Sequence, residues 1–254
     1  MKDYGEAWED WPIEDGDVWT AGGDYEVPVK DATDPQLDLQ RARHVFVCGD
    51  LETGIAHNLL LLVENVDMVY CDPPWNSGLA RQFRQKADRD KGYIDFVAFL
   101  KRLVMTVRDV HGPVYIEMGE QHIDDLERIV TGNGGDVVKV WDVTYYNTKP
   151  SKLLLARFRR HVPSTPPRDF TGMDDEDTPL ACIRAEVERA RAGPEFRVFD
   201  PCMGTGLTGW SAHEAGVRSV GVELHPRRLA HLPRRLVEAD DPVAPESVRY
   251  VGTL

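Results

Sequence analysis

The sequence predicts an α/β fold built on a doubly wound, mostly parallel sheet, and three observations carry that expectation. Short apolar runs alternate with segments of helical periodicity along most of the chain, the rhythm of strands joined by crossover helices. Two motifs, Asp72-Pro73-Pro74-Trp75 and Phe199-Asp200-Pro201-Cys202-Met203-Gly204-Thr205-Gly206, each follow directly on a strand-like run, residues 66–71 and 196–199. Each motif thus falls on a loop leaving a strand's carboxyl end, where open α/β sheets bind their ligands. Third, Gly204-Thr205-Gly206-Leu207-Thr208-Gly209 matches Gly-x-Gly-x-x-Gly, with Glu223 at the end of the next strand, 219–222. That pattern marks a ligand loop followed by a ribose-binding acid.

The elements follow in order. His44-Val45-Phe46-Val47-Cys48 is an apolar strand ending in Gly49-Asp50, and a helix is expected over 53–63. Residues 66–71 form the strand that enters the first motif. Apolar residues at 93, 96, 97, 100, 103, 104 and 107 have the spacing of an amphipathic helix packed on a sheet. A strand over 113–118, a helix over 121–130 and strands within 137–146 come next, with the breaker cluster Thr131-Gly132-Asn133-Gly134-Gly135 between the last two. A helix over 180–191 leads into the second half. At 254 residues the chain can bury one large core, so one domain with an appendage is expected rather than two.

The net charge of −13 is unevenly spread. Residues 1–40 contribute −10 and the remaining residues only −3. This acidic tail is poor in aliphatic periodicity but holds Tyr4, Trp8, Trp11, Trp19 and Tyr25. It reads either as a solvated, solubilising segment, as one strapped to the body by its aromatic residues, or as a nucleic-acid mimic occupying a basic groove. The four cysteines show no Cys-x-x-Cys spacing, so neither a metal site nor a disulfide framework is expected. No long apolar run supports a membrane span or signal peptide, and a cytoplasmic location is expected.

From 143 to 168 the chain carries no acidic residue, while Lys149, Lys152, Arg157, Arg159, Arg160 and Arg168 supply positive charge among Tyr145, Tyr146 and Phe158. The segment reads as a phosphate-contacting insert or as an ordinary solvated basic loop. Arg81, Arg84, Lys86, Arg89 and Lys91, beyond Asn76-Ser77-Gly78, read as a flap or a flexible surface loop.

The first motif has a specific chemistry. An exocyclic amino group of a nucleic-acid base is a poor nucleophile because its lone pair is delocalised into the ring. A carboxylate (Asp72) and a fixed backbone carbonyl (Pro73) can accept both amino hydrogens and localise that pair. Two prolines, 73 and 74, lock the loop, and Trp75 offers a flat face for a base swung out of its stack.

With the Asp200–Gly206 loop, this motif resembles the amino-methylating DNA methyltransferases. Those enzymes pair an (Asp/Asn/Ser)-Pro-Pro-aromatic catalytic loop with an Asp-Pro-Phe-x-Gly-(Ser/Thr)-Gly loop for S-adenosylmethionine. The order here, catalytic loop first, resembles the permuted β group. The resemblance spans about 44–236, with both main motifs intact. It implies a seven-stranded, Rossmann-like methyltransferase sheet with a short basic recognition insert, and three parts within 41–254: a catalytic half (41–142), the insert (143–177) and a cofactor half (178–254). It implies that Asp72, Pro73, Pro74 and Trp75 are catalytic. It also implies that Asp50, Asp72, Asp200, Cys202, Gly204, Thr205, Gly206 and Glu223 hold the cofactor, and that Lys149, Lys152, Arg157, Arg159 and Arg160 touch nucleic acid. Cys202 stands where the family usually has Phe, and Asp177-Thr178-Pro179-Leu180 lacks the lysine of a Lys-Pro cofactor motif. The implied partner is double-stranded DNA, read by one chain or a homodimer, with no metal. Asp at position 72 leans toward adenine N6. Cytosine N4, RNA adenosine, a noncatalytic DNA-binding subunit and a nicotinamide oxidoreductase are the alternatives.

Overall fold

The structure, a computed structural model, describes residues 9–22, 39–63, 65–89, 94–146 and 148–254. Nine strands form one sheet in the order β5-β6-β4-β3-β7-β8-β2-β1-β9. They are β1 (Asp17–Ala21), β2 (His44–Cys48), β3 (Met68–Cys71), β4 (Val114–Gly119), β5 (Asp136–Tyr145), β6 (Lys149–Arg157), β7 (Arg197–Asp200), β8 (Arg218–Glu223) and β9 (Arg249–Thr253). The central run β4-β3-β7-β8-β2 is parallel throughout. Antiparallel strands flank it: β6 and β5 beyond β4, β1 and β9 beyond β2.

The strands of the parallel centre are apolar on both sides because helices cover both faces. Alternate residues serve opposite layers. Val45, Val47, Val69 and Cys71 face α1 (Ile55–Leu62), α3 (Phe96–Val107) and α4 (Ile123–Gly132). Met68, Tyr70 and Val198 face α5 (Thr178–Ala190) and α6 (Leu207–Glu214). Phe46 and Cys48 pack with Met203, Leu229 and Leu232 from the region of α7 (Pro226–Leu229) and α8 (His231–Val237). One further helix, α2 (Ser77–Lys86), starts where Asn76 Oδ1 accepts from Leu79 N at 2.9 Å.

Four sequence expectations need correction. The sheet has nine strands rather than seven, the two additional ones being β1 and β9. Residues 9–22 are not a solvated tail, because β1 pairs with both β2 and β9, Ile13 is 1% exposed, and Trp19 meets Tyr250 edge-on at 6.0 Å. Trp11 is half-buried, while Tyr4, Trp8 and Tyr25 lie outside the described residues. The supposed insert, 143–177, takes in the end of β5 and the whole of β6, an interior strand whose Leu153, Leu154, Leu155 and Ala156 are buried. The supposed flap is mostly α2, with Lys91 and Gly92 outside the described residues.

β6 also separates the basic residues. It runs antiparallel to β4, so Lys149 and Lys152 stand at the carboxyl edge of the parallel strands and Arg157 at the amino edge. At about 3.4 Å per residue, Lys149 and Arg157 are about 27 Å apart.

The N-terminal strap is part of the fold, so Ile13→Ala should act as a core truncation. The expected loss is about 2–4 kcal/mol, or about 5–15 °C of Tm for a chain of this size. Thermal denaturation checks this; a shift under about 2 °C would return residues 9–22 to the status of a tail.

Candidate active site

β3 and β7 are neighbours, but the chain leaves them in opposite directions across the sheet, β3 toward β4 and β7 toward β8. A crevice opens between such strands at their carboxyl ends. A cavity of about 430 Å³ lies there, and its wall includes Asp50, Asp72, Pro73, Pro74, Trp75, Lys149, Cys202 and Glu223. Residues from five separate strand ends thus meet around one space. A larger cavity of about 750 Å³ opens at the opposite edge, beside Asp67, Pro113 and Arg218, and holds none of the motif residues.

The Asp72–Trp75 loop is held from several sides. The Trp75 indole N–H donates to Asp72 Oδ1 at 2.9 Å. The Trp75 ring meets Tyr145 edge-on at 4.6 Å, and its carbonyl accepts from Gln121 Nε2 at 3.2 Å. A Cβ at Gly119 would lie 3.0 Å from the Trp75 ring, so the end of β4 needs glycine for this packing.

The second loop builds the wall rather than lining it. Asp200 is 2% exposed and accepts from Cys202 N at 2.9 Å, folding the loop on itself. Gly204 and Gly206 take φ of +58° and +80°, in the left-handed region. A Cβ on Gly206 would sit 2.5 Å from Leu232 Cβ, so that glycine faces α8 and not the cavity. Thr205 is half-buried between them. Asp200, Gly204, Thr205 and Gly206 therefore shape the site, whereas Cys202 and Glu223 reach it. Glu223 accepts from Gly204 N at 2.8 Å and from His225 N at 2.9 Å, which ties the end of β8 to the glycine loop.

Asp50 accepts from Glu52 N at 2.9 Å as a turn cap and also pairs with Arg84 Nη1 at 2.6 Å. Arg84 reaches Glu52 as well, at 2.9 Å, so α2 is clamped over this side of the cavity. Arg228 lies 4.6 Å from the Phe83 ring centre and 3.9 Å from Glu223. Arg84 was named in the sequence only as part of a candidate flap, and Phe83 and Arg228 were not singled out; for Phe83 the helix just beyond the Asp72–Trp75 loop was the available signal.

Two further groups escaped the sequence reading. Glu117 is 1% exposed inside β4 and accepts from Tyr70 Oη at 2.7 Å and Ser151 Oγ at 3.0 Å. A lone Glu in the apolar run of β4 was its signal. Asp175, within the acidic run 174–177, is buried and accepts from Tyr146 N at 2.9 Å.

Burial pushes the carboxyl groups of Asp72, Glu117, Asp175 and Asp200 above their ordinary range, Asp200 to about 7. Asp72 opens into the cavity, yet the enclosing walls limit its hydration, and the neighbouring Asp175 adds to the rise. Four carboxylates, Asp50, Glu52, Asp72 and Glu223, line the cavity with Arg84, Lys149 and Arg228.

Of the basic residues within 143–177, only Lys149 lines the cavity, which Arg84 and Arg228 line from α2 and α7. Lys152 is paired with Glu120 and Asp142, Arg157 with Asp136, and Arg159 with Asp109. Arg160 is exposed. Among the described residues no cluster of three or more His, Cys, Asp or Glu side chains could hold a metal ion, and no helix is long and apolar enough to cross a membrane.

No protein-family model and no curated protein matches the chain at the level of sequence. Solved structures do. The M1.HpyAVI–SAM complex has a TM-score of 0.52 at 16% identity, covering 76% of this chain and 98% of that one. The candidate DNA modification methylase TTHA0409 of Thermus thermophilus, complexed with S-adenosyl-L-methionine, gives 0.53 at 19% identity over 78% and 95%. The cytosine-N4-specific PvuII DNA methyltransferase gives 0.55 at 13% identity over 81% and 89%. The likeness is one of fold: a mixed α/β sheet of methyltransferase type.

Asp200 supplies a test of the site's electrostatics. Its folded-state pKa is raised from 3.8, so the unfolded chain loses the proton first as pH rises. The stability that the neutral form contributes is complete below 3.8 and is lost as pH climbs toward 7. Asp200→Asn keeps a neutral acceptor, so its Tm advantage over wild type should grow from about pH 5 to about pH 8. An advantage that does not change with pH would overturn the assignment.

Proposed function

We propose that the chain is an S-adenosylmethionine-dependent methyltransferase acting on the exocyclic amino group of a DNA base, with adenine N6 favoured. The observation that carries this reading is the meeting of Asp72-Pro73-Pro74-Trp75 with Cys202, Glu223 and Asp50 around one cavity at the sheet's switch point. M1.HpyAVI and TTHA0409, whose fold the chain shares, are described in complex with the same cofactor.

The cavity suits that cofactor. Its volume of about 430 Å³ lies in the range of small-molecule sites. Glu223 and Asp50 offer carboxylates to sugar hydroxyls or to an ammonium group, and Leu51, Phe83 and Phe99 give apolar wall for an adenine ring. When bound, S-adenosylmethionine supplies an electrophilic methyl whose transfer leaves a neutral thioether.

The protein's own part is orientation and proton handling. Asp72 and the Pro73 carbonyl accept the two amino hydrogens, turning the nitrogen lone pair toward the cofactor side of the cavity. The Trp75 indole holds Asp72 Oδ1 and leaves Oδ2 for the amino group. After transfer the nitrogen sheds one hydrogen as a proton, and Asp72, whose raised pKa makes it a better base than an ordinary aspartate, takes it. Adenine is favoured because Asp, not Ser, occupies position 72; the structural likeness to a cytosine-N4 enzyme is the observation that keeps cytosine as the second reading.

Incubating mixed-sequence DNA with labelled cofactor, then identifying the methylated nucleoside, tests this directly. Labelled N6-methyladenine is expected. N4-methylcytosine would change the base, and absence of label from DNA would overturn the reading. Asp72→Ala should lower kcat at least about 1000-fold while cofactor affinity by calorimetry changes less than about threefold. Turnover near that of wild type would sink the role given to Asp72.

The basic residues lie at two opposite edges of the sheet, which supports different roles for them. Lys149, at the cavity mouth, contacts phosphate, so Lys149→Ala should reduce the slope of log affinity against log salt by about 0.9. Arg157, Arg159 and Arg160 sit at the far edge, and replacing Arg160 should leave the slope unchanged. The reverse result would move the DNA path to the opposite edge of the sheet.

A further inference from the structure

The hairpin joining β5 to β6 carries a side chain that the mechanism above does not use. Tyr145 and Lys149 pair across its base, and Tyr146 is the first residue of the connecting loop. This hairpin tip stands at the carboxyl edge of the sheet, beside the cavity that Tyr145 and Lys149 line.

Tyr146 has an unusual combination of properties. Its φ is +52°, a left-handed conformation that glycine or asparagine adopts readily and an aromatic residue rarely does. The conformation is pinned, because Tyr146 N donates to the buried carboxylate of Asp175 at 2.9 Å. Despite that support the side chain is 52% exposed, among the most exposed large apolar side chains of the described residues. Its ring lies 4.3 Å from that of Tyr145, which in turn meets Trp75. A continuous run of three aromatic rings therefore leads from Asp72 to solvent, ending in a ring held out at the rim. Strained backbone kept in place by a buried partner marks a position where a side chain's placement matters more than local stability.

Resting on the function proposed above, we infer that Tyr146 is a wedge that enters the DNA base stack as the target base leaves it. A base bound between Pro73 and Trp75 must come out of its duplex, and the gap it leaves costs stacking. Apolar side chains that insert between base steps offset that loss. Tyr146 is a positioning residue in this scheme: it touches the duplex and not the reacting atoms. Lys149, opposite Tyr145 in the hairpin, is placed to hold the phosphate beside the gap.

The test separates extrusion of the base from methyl transfer. The substrate is a synthetic duplex carrying the sequence that wild-type enzyme methylates, with the target base paired or mismatched, or with 2-aminopurine in its place. Tyr146→Ala should lower kcat/KM at least about tenfold on the paired duplex and less than about threefold on the mismatched one, where extrusion is easier. Its 2-aminopurine fluorescence rise on binding should fall at least about fivefold, with duplex affinity within about fivefold of wild type. Tyr146→Phe, which keeps the ring, should match wild type within about twofold in every assay. Tyr146→Gly, which suits the left-handed backbone, should behave as the alanine variant does and shows that the effect is not misfolding. Equal losses on paired and mismatched duplex, or an unchanged fluorescence rise, would overturn the wedge. A wild-type enzyme that methylates no DNA would instead overturn the proposed function.

Discussion

The pairing of β3 with β7 is the constraint on which the site depends. Met68 and Val69 lie beside Val198 and Phe199, so strands far apart in sequence end side by side. From that junction the two motif loops emerge together, and the thiols of Cys71 and Cys202 hydrogen-bond across it. Neither loop forms a cavity alone. The first supplies a carboxylate and fixed carbonyl, and the second a turn that exposes Cys202 while turning Gly206 toward α8 and Gly204 toward Arg228. The order of the two loops in sequence does not matter to this geometry, because the parallel sheet registers strand ends whichever comes first. A permuted chain can therefore build the same crevice.

Placing the strand ends together also concentrates acid. Asp72, Glu117, Asp175 and Asp200 all titrate above the ordinary carboxylate range, and burial is the leading cause for each. Because burial raises each of these groups, their ionisation costs stability as pH rises. Arg84 and Arg228 relieve the groups around the cavity's rim, at Asp50, Glu52 and Glu223, while the oxygens of Glu117 are served by two hydroxyls. Behind the cavity wall, Asp175 accepts from Tyr146 N and Asp200 from Cys202 N, so these buried carboxyls are held by donors of the protein itself.

The parallel centre of the sheet was legible because doubly covered strands are apolar throughout and sit between amphipathic helices; β2, β3, β4, β7 and β8 all fall close to their sequence positions. Of the flanking antiparallel strands β5 was legible, within 137–146, and β6, β1 and β9 were not. In β6 the charges of Lys149, Lys152 and Arg157 drew attention, although the run Leu153-Leu154-Leu155-Ala156 between them has the continuous apolar character of an interior strand. Charge at a strand's ends and burial at its middle are compatible, and a reading by net charge averages them away. β1 is five residues long in a strongly acidic region, and β9 is equally short and mixed in character, so neither had flanking signals. At the site, the motif residues were visible as a pattern, but which of them face the cavity was not. Only the packing of Gly206 on Leu232 and the folding of Asp200 onto Cys202 distinguish wall from lining.

The acidic N-terminal segment joins structure and charge in one element. β1 runs antiparallel to β2 with Asp17 at the end nearest Cys48, so its acidic beginning sits at the same sheet edge as the cavity. Asp15 pairs there with Arg89, just beyond α2. Two of the three sequence readings of this segment are therefore compatible: it is strapped to the body, and it places negative charge beside the edge where, under the proposed function, DNA would approach. The strap and the charge are carried by different residues, the first by Ile13, Val18 and Ala21 and the second by Glu14, Asp15 and Asp17. Removing the whole segment would expose β2 and deprive β9 of its partner, so a gain in DNA affinity would be masked by loss of fold. Replacing the carboxylates while keeping the apolar residues isolates the electrostatic role, because an exposed charge at this edge acts on an approaching polyanion through solvent and weakens as salt rises.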